Sequence, residues 1–391
     1  MKKKVVALLC VGALGVACLA GCGNQPAEET GGSAVSGEAE SQENVEGDSE
    51  NLVSDELEMV ETKEPFTMFF TGDVLMRGAT ESIYDSQGVE GLLSPDLLNE
   101  MQSADLCMIN QEFPFGVGGT QAPDKQFTFK SDPKYVQAFL DMGVDIVSLA
   151  NNHVLDFGSD VLSQTFTTLD DAGIAYVGAG ESIARAKAWE SYEINGTKIA
   201  VLAASRVIPV VEWNVDNAQP GVFCTYDPTQ LVEQIALAEQ EHDLVIVAVH
   251  WGIERAAYPE DYQREMAKQY IDAGADLIVG NHPHVIQGVE YYKDVPIVYS
   301  LGNYLFNQNN QPTAALKVHV DEYQKLRLQM IPIATSNYQV YASEGQAATD
   351  MIAYIEELSY ALSLDEEGYV CPIPLCGGEY GLKEKLNSSF K

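Results

Sequence analysis

Three features of this 391-residue sequence predict an α/β fold, a sandwich of sheets and helices. Hydrophobic residues make up 46% of the chain, enough for one large domain or two ordinary ones around a substantial core. From Pro65 onward, short apolar runs rich in β-branched residues alternate with amphipathic segments, as buried strands and their crossover helices do. Beyond Leu305 strands follow one another without helices, which predicts antiparallel strands completing a second sheet.

The chain opens with Lys2, Lys3 and Lys4, then an apolar run from Val5 to Cys18 that is too short to span a bilayer comfortably. Leu19-Ala20-Gly21-Cys22 follows and resembles a bacterial lipobox, where cleavage before the cysteine precedes attachment of diacylglycerol to its sulfur. Residues 1–21 are therefore expected to be a lipoprotein signal peptide. Cys22 would be the lipidation site, giving a membrane partner through the lipid anchor and an extracytoplasmic location. Residues 22–64 carry thirteen acids against Lys63 and almost no large apolar side chains. Such a segment cannot bury enough surface to offset chain entropy, so a disordered acidic tether is predicted.

The folded domain is expected over 65–391, with core motifs in 67–306 and C-terminal strands and a helix in 312–391. Predicted strands run over 66–71, 105–110, 144–149, 174–177, 198–203, 244–249, 277–279 and 297–300. Helices with apolar residues at spacings of three and four are predicted over 133–142, 159–172, 228–241 and 259–273. Strands at 314–320, 326–333 and 338–341 and an outer helix at 347–362 complete the pattern.

The net charge is −36, and the domain stays strongly acidic once signal and tether are set aside. That argues against nucleic acid as a partner, because a phosphate backbone needs a basic footprint. An anionic substrate would have to be met by bound cations or a local basic patch. Of seven cysteines, Cys371 and Cys376 could close a small disulfide loop, whereas Cys107 and Cys224 read as buried small hydrophobes.

In α/β sheets ligands bind beyond the carboxyl ends of strands. Here those ends carry Asp73, Asn110-Gln111-Glu112, Asn151-Asn152-His153, His250-Trp251 and Asn281-His282-Pro283-His284. Four of the six histidines fall at these positions, beside two carboxylates, so the concentration points to a metal site. Mixed oxygen and nitrogen ligands suit divalent Mn, Fe or Zn, as one or two ions. Asp156 follows His153 by three and either orients the imidazole or caps the next helix. Arg206 and Arg255, rare cations near strand ends, are expected to pair with surface carboxylates.

The strings TGDVLM, NQEFPF, SLANNHVLDFG, VHWGIE, GNHPHVIQGVE and YSLGNYLF, in that order between Thr67 and Phe306, resemble the successive motifs of the CapA, or poly-gamma-glutamate capsule synthesis (PGA_cap), family. That family is similar to the calcineurin-like metallophosphoesterases, so the resemblance implies a four-layer αββα sandwich. It also implies roles. Asp73 and His284 would serve a first metal, Glu112 would bridge, and Asn152, His250 and His282 would hold a second. His153 would face the leaving group, with Asp156 behind it, and Asn151, Trp251, Glu254 and Asn303 would contact substrate. One position departs from the pattern: Leu75 stands where the family start, Asp-x-His, places a first-metal histidine. Glu112 also replaces the customary aspartate, which implies a weaker first site or a single-metal centre.

The function implied is a cell-surface, metal-dependent hydrolase or transferase, phosphoesterase-like or cleaving a gamma-glutamyl amide, acting on poly-gamma-glutamate or a related acidic envelope polymer. Capsule-synthesis membrane proteins are further expected partners. The alternative is a non-catalytic, metal-containing surface protein that binds, anchors or helps export such a polymer.

Overall fold

The structure is a computed structural model that describes residues 62–215, 219–306 and 313–373. The expected signal peptide, the expected lipidation site Cys22, nearly all of the expected tether and Cys376 lie outside the described residues.

β1 (Phe66–Val74) leads through α1 (Ala79–Gln87) and α2 (Pro95–Ser103) to β2 (Leu106–Gln111). Then come α3 (Val136–Met142), β3 (Ile146–Ser148), α4 (Ser159–Ala172) and β4 (Ala175–Val177). After β5 (Ala179–Gly180) and α5 (Ile183–Ala186), β6 (Glu190–Ile194) and β7 (Thr197–Ser205) form a hairpin, and β8 (Gly221–Val222) pairs back on β5. Next are α6 (Thr229–Glu239), β9 (Leu244–His250), α7 (Asp261–Asp272) and β10 (Leu277–Asn281). The remaining elements are β11 (Ile286–Tyr292), β12 (Val295–Leu301), β13 (Asn303–Leu305), β14 (Thr313–Val320), β15 (Leu326–Ser336), β16 (Gln339–Ala342), α8 (Gly345–Leu358) and the ribbon of β17 (Leu362–Leu364) with β18 (Val370–Pro372).

Eight strands form the larger sheet, in the order β16-β15-β14-β1-β2-β3-β4 with β13 also on β1, and six form the smaller, β11-β12-β10-β9-β7-β6. The strands from β1 to β4 are parallel, as are β7, β9, β10 and β12. Three apolar layers separate the structural layers. One joins α2, α3 and α4 to the outer face of the larger sheet through Leu97, Phe139 and Phe166. The second lies between the sheets, where Met68, Phe70 and Met108 meet Val201, Ile246 and Val279. The third packs α6 and α7 on the smaller sheet through Ile235 and Tyr270. Helices, sheet, sheet, helices is the αββα order expected.

Helix α4 illustrates the local logic. Its buried Val161, Leu162, Thr165, Phe166 and Leu169 recur at three and four, and Gly173, left-handed at φ 71°, ends it. Two expectations need correction. β14 pairs antiparallel with β1, so the C-terminal strands extend the sheet that β1 begins instead of building the second one. Helix α8 does not lie outside either sheet: Met351, Ile355 and Leu358 enter the core between the two. The 133–142 segment divides into a 3-10 turn at Pro133–Tyr135 and α3.

Gly72 is required by a close crossing. A Cβ there would stand 1.8 Å from the Gly302 carbonyl oxygen, to which the Asp73 N–H donates at 2.9 Å. The crossing fixes Asp73 opposite Asn303.

Asp276, just before β10, accepts from the Val245 N–H at 2.8 Å, and burial raises its carboxyl to about 6. A carboxyl raised on folding costs stability at neutral pH, and that cost disappears as pH falls through 6 toward the unfolded value. Allowing for partial exposure, wild type should gain on the order of 2 kcal/mol on Asp276→Asn between pH 7 and pH 4. Urea unfolding at both pH values reads this; a pH-independent difference would show that burial does not act on Asp276.

Candidate metal centre

The carboxyl ends of β1, β2 and β3 from the larger sheet face those of β9 and β10 from the smaller, and the six sequence-predicted ligands meet there. Asp73, Glu112, Asn152, His250 and His282 are all buried. Asp73 Oδ2 lies 3.0 Å from His284 Nδ1, and Asp73 Oδ1 accepts from Asn110 Nδ2 at 2.7 Å. His250 Nε2 is 2.9 Å from Asn152 Oδ1 and 3.1 Å from His282 Nδ1. Glu112 Oε1 lies between these groups, 3.6 Å from His250 Nε2 and 3.7 Å from His284 Nε2. Two clusters of potential ligand atoms result, Asp73-Glu112-His250 and Glu112-His282-His284, and Glu112 is common to both.

These residues fit a divalent cation. Glu112 is fully buried, yet neither carboxylate oxygen accepts a hydrogen bond, an arrangement that costs several kcal/mol unless a positive charge completes it. Burial, with Asp73 nearby, pushes Glu112 well above the usual carboxylate range. Burial and the neighbouring imidazoles hold His250 well below its ordinary value and bring His282 down to about 3. Both are thus neutral lone-pair donors. Burial lowers His284 too, but Glu112 and Asp73 outweigh it and lift the ring to about 10. A cation would replace that proton. His282 and His284 both adopt left-handed backbone, φ 99° and 58°, a strain of about 1–3 kcal/mol each that turns two rings of one short loop toward the same place.

Beside the cluster, His153 Nδ1 lies 2.7 Å from Asp156 Oδ2, which also accepts from the Phe129 N–H at 2.6 Å. Gly158, not Asp156, is the N-cap of α4, so Asp156 serves to orient the imidazole. Burial holds His153 below its ordinary value, and Asp156 opposes that shift. Phe129 stacks on the ring at a centroid distance of 4.3 Å.

Asn303 Oδ1 is 2.8 Å from His284 Nδ1, at the edge of the cluster. Glu254 is exposed, and its charge reaches Glu112. Two expected substrate contacts are corrected. Trp251 is fully buried in the third core layer, with its indole N–H on the Tyr299 carbonyl at 3.0 Å. Asn151 is equally buried and donates to the Gln111 carbonyl at 2.8 Å while accepting from the His153 N–H, so it shapes the turn. Leu75 is core, not ligand.

Lys125 was not singled out by its sequence. Its ammonium contacts Asp156 and the Asn152 carbonyl and lies 2.9 Å from His153 Nδ1. Burial lowers it, against the pull of Asp156 and Glu112. It sits in a loop with no periodicity, where only the scarcity of lysine in an acidic chain could have marked it. Asn110, bridging Asp73 to His250 Nδ1 at 3.4 Å, was also passed over.

The chain is 32% identical over 283 residues to the capsule biosynthesis protein CapA of Bacillus anthracis, covering 69% of this chain and 67% of that one. It is 32% identical over 270 residues to the PGA biosynthesis protein CapA of Bacillus subtilis, covering 68% and 70%. A hypothetical protein from Thermus thermophilus aligns in structure with a TM-score of 0.40 and 15% identity, over 71% of this chain and all of that one. The profile of the bacterial capsule synthesis protein PGA_cap matches residues 67–308, more than half of the chain, and the protein therefore belongs to the PGA_cap (CapA) family of capsule synthesis proteins.

Proposed function

We propose that this protein is a cell-surface, metal-dependent hydrolase or transferase acting on poly-gamma-glutamate or a related acidic envelope polymer. The observation that carries the reading is Glu112, a buried carboxylate without hydrogen-bond donors, shared by two clusters of ligand atoms. Asp73 and His284 would hold one divalent ion of the Mn, Fe or Zn class, and Asn152, His250 and His282 another. A cation so held would supply polarisation of a phosphoryl or carbonyl oxygen and a more acidic water. The protein's own part is proton transfer and orientation. With Nδ1 engaged by Asp156, His153 keeps Nε2 for the leaving group. Lys125 fixes Asp156 in turn, and Phe129 shields one face of the ring from water.

Metal analysis of the purified protein, followed by turnover assays with Mn, Zn or Fe on phosphoesters and on gamma-glutamyl peptides, tests this. Metal at one or two ions per chain with turnover of either class is expected. A metal-free and inactive protein under all conditions would sink it. One observation favours the non-catalytic alternative: Leu75 is buried in the core where the family resemblance places a ligand. Bound metal and polymer binding without turnover would establish that reading.

Attachment to the membrane is part of the proposal, through lipidated Cys22. Cys22→Ser should move the protein from the detergent fraction to the soluble one; continued membrane retention would contradict a lipid anchor there.

A further inference from the structure

Three arginines stand near the candidate metal centre, Arg77 and Arg255 after β1 and β9, whose ends build it, and Arg206 after β7, the neighbour of β9, and none behaves as an arginine in so acidic a chain should. Arg77 lies four residues past Asp73. Its guanidinium stands 5.8 Å from the Phe129 ring, the same ring that stacks on His153, and one nitrogen donates to the Thr128 carbonyl at 2.7 Å. Arg206 closes β7, where its N–H donates to the His250 carbonyl at 2.8 Å. Its guanidinium is 3.7 Å from the Tyr226 ring centre and 5.1 Å from that of Tyr262, and its side chain makes no hydrogen bond among the described residues. Arg255 is exposed, with left-handed backbone at φ 64°, and its N–H donates at 2.7 Å to the Pro283 carbonyl, between His282 and His284.

No carboxylate of a described residue lies within ion-pair distance of any of the three, which corrects the expectation for Arg206 and Arg255. Away from the centre Arg185 takes Glu190 at 3.0 Å and Arg264 takes Glu290 at 2.7 Å, while Arg327 rests on Tyr369 as Arg206 rests on its tyrosines. At a net charge of −36, carboxylates are the commonest neighbours an exposed cation could find. Leaving three guanidiniums without one, around a single site, keeps their N–H forks open to an outside anion. Tyrosine packing over Arg206 also limits its freedom, so less entropy is lost when an anion is bound.

We propose that Arg77, Arg206 and Arg255 form a rim of anion subsites that grip successive carboxylates of an acidic polymer on either side of the metal centre. The polymer class rests on the function proposed above; the rim itself does not. Arg77 follows a strand of the larger sheet and Arg206 and Arg255 strands of the smaller, so a bound chain would run across the junction of the sheets, over the ligand cluster. Because the general field repels polyanions, such local cations are what lets one approach.

The test is binding of fluorescent poly-gamma-glutamate to the metal-loaded protein, compared with polyphosphate, across a salt series. Arg77→Gln, Arg206→Gln and Arg255→Gln should each weaken binding about tenfold and flatten its salt dependence, with metal content unchanged. Lysine at each position should restore part of the loss. Lys293→Gln, the same charge change on a remote surface pair, should shift affinity less than about twofold. If wild type binds poly-gamma-glutamate and the triple glutamine variant binds it equally well, the rim is wrong and the substrate reading stands. If only polyphosphate binds, and the variants lose it, the rim stands and the polymer reading falls. Binding of neither polyanion by wild type overturns the rim.

Discussion

Glu112→Gln is expected to abolish metal binding at the candidate centre. The residue belongs to both clusters of ligand atoms, so one substitution weakens each of them, and metal content after dialysis should fall at least about tenfold. The same change should stabilise the metal-free protein. A fully buried carboxylate without donors is expensive, and the neutral amide removes that charge, for a gain of about 1–3 kcal/mol in chelator. The order should reverse in excess metal, because binding adds stability only to the protein that can bind. Elemental analysis paired with thermal unfolding, with and without chelator, reads both effects. Unchanged metal content in Glu112→Gln would show that the centre is organised around other groups. His282→Ala, which touches one cluster, should lower metal content less and leave the fold intact.

His153→Gln is expected to lower kcat by about 10² to 10⁴ while metal content stays at the wild-type level, as loss of a proton donor should. Asp156→Asn should cost less, on the order of tenfold, because the ring would remain in place but lose the carboxylate that orients its Nδ1. Lys125→Met separates orientation from charge. It leaves the His153 and Asp156 side chains in place, removes the ammonium that both contact, and should shift the alkaline limb of the rate profile, where the proton donor loses its proton, to higher pH. The direction follows from charge: Lys125 disfavours the imidazolium, so its removal raises the His153 value. Steady-state rates on any substrate turned over by the wild type provide the readout. A His153 variant with full kcat would assign proton transfer elsewhere.

The parallel strands were legible because burial on both faces forces continuous β-branched runs, such as Leu244–His250, that few other elements produce. The candidate site residues were legible for a different reason: parallel topology delivers strand ends to one edge, so Asp73, Glu112, His153, His250 and His282 could be grouped before any contact was known. What failed were inferences about side-chain neighbours. Trp251 follows a ligand in sequence, but alternation along the strand sends its indole to the opposite face, into the outer core. Helix α2 was overlooked despite Pro95 at its start and buried Leu97, Leu98 and Met101 at helical spacing. β11 has no signal separate from the GNHPHVIQGVE string that contains its first residues, and its antiparallel pairing with β12 is a long-range fact. Lys125 reached the site only by the path of an irregular loop, which no periodicity encodes.

The crossing at Gly72 and Gly302, described above as a matter of space, also sets a timetable. Asp73 lies near the start of the domain and Asn303 near the end of its core motifs, and the ligands between them come from both sheets. Such pairings of distant segments form late, after much loop-closure entropy has been overcome. A cation is therefore expected to join a nearly finished fold and not to nucleate it. Refolding rates should accordingly be the same with metal and chelator, while unfolding should slow markedly when metal is bound.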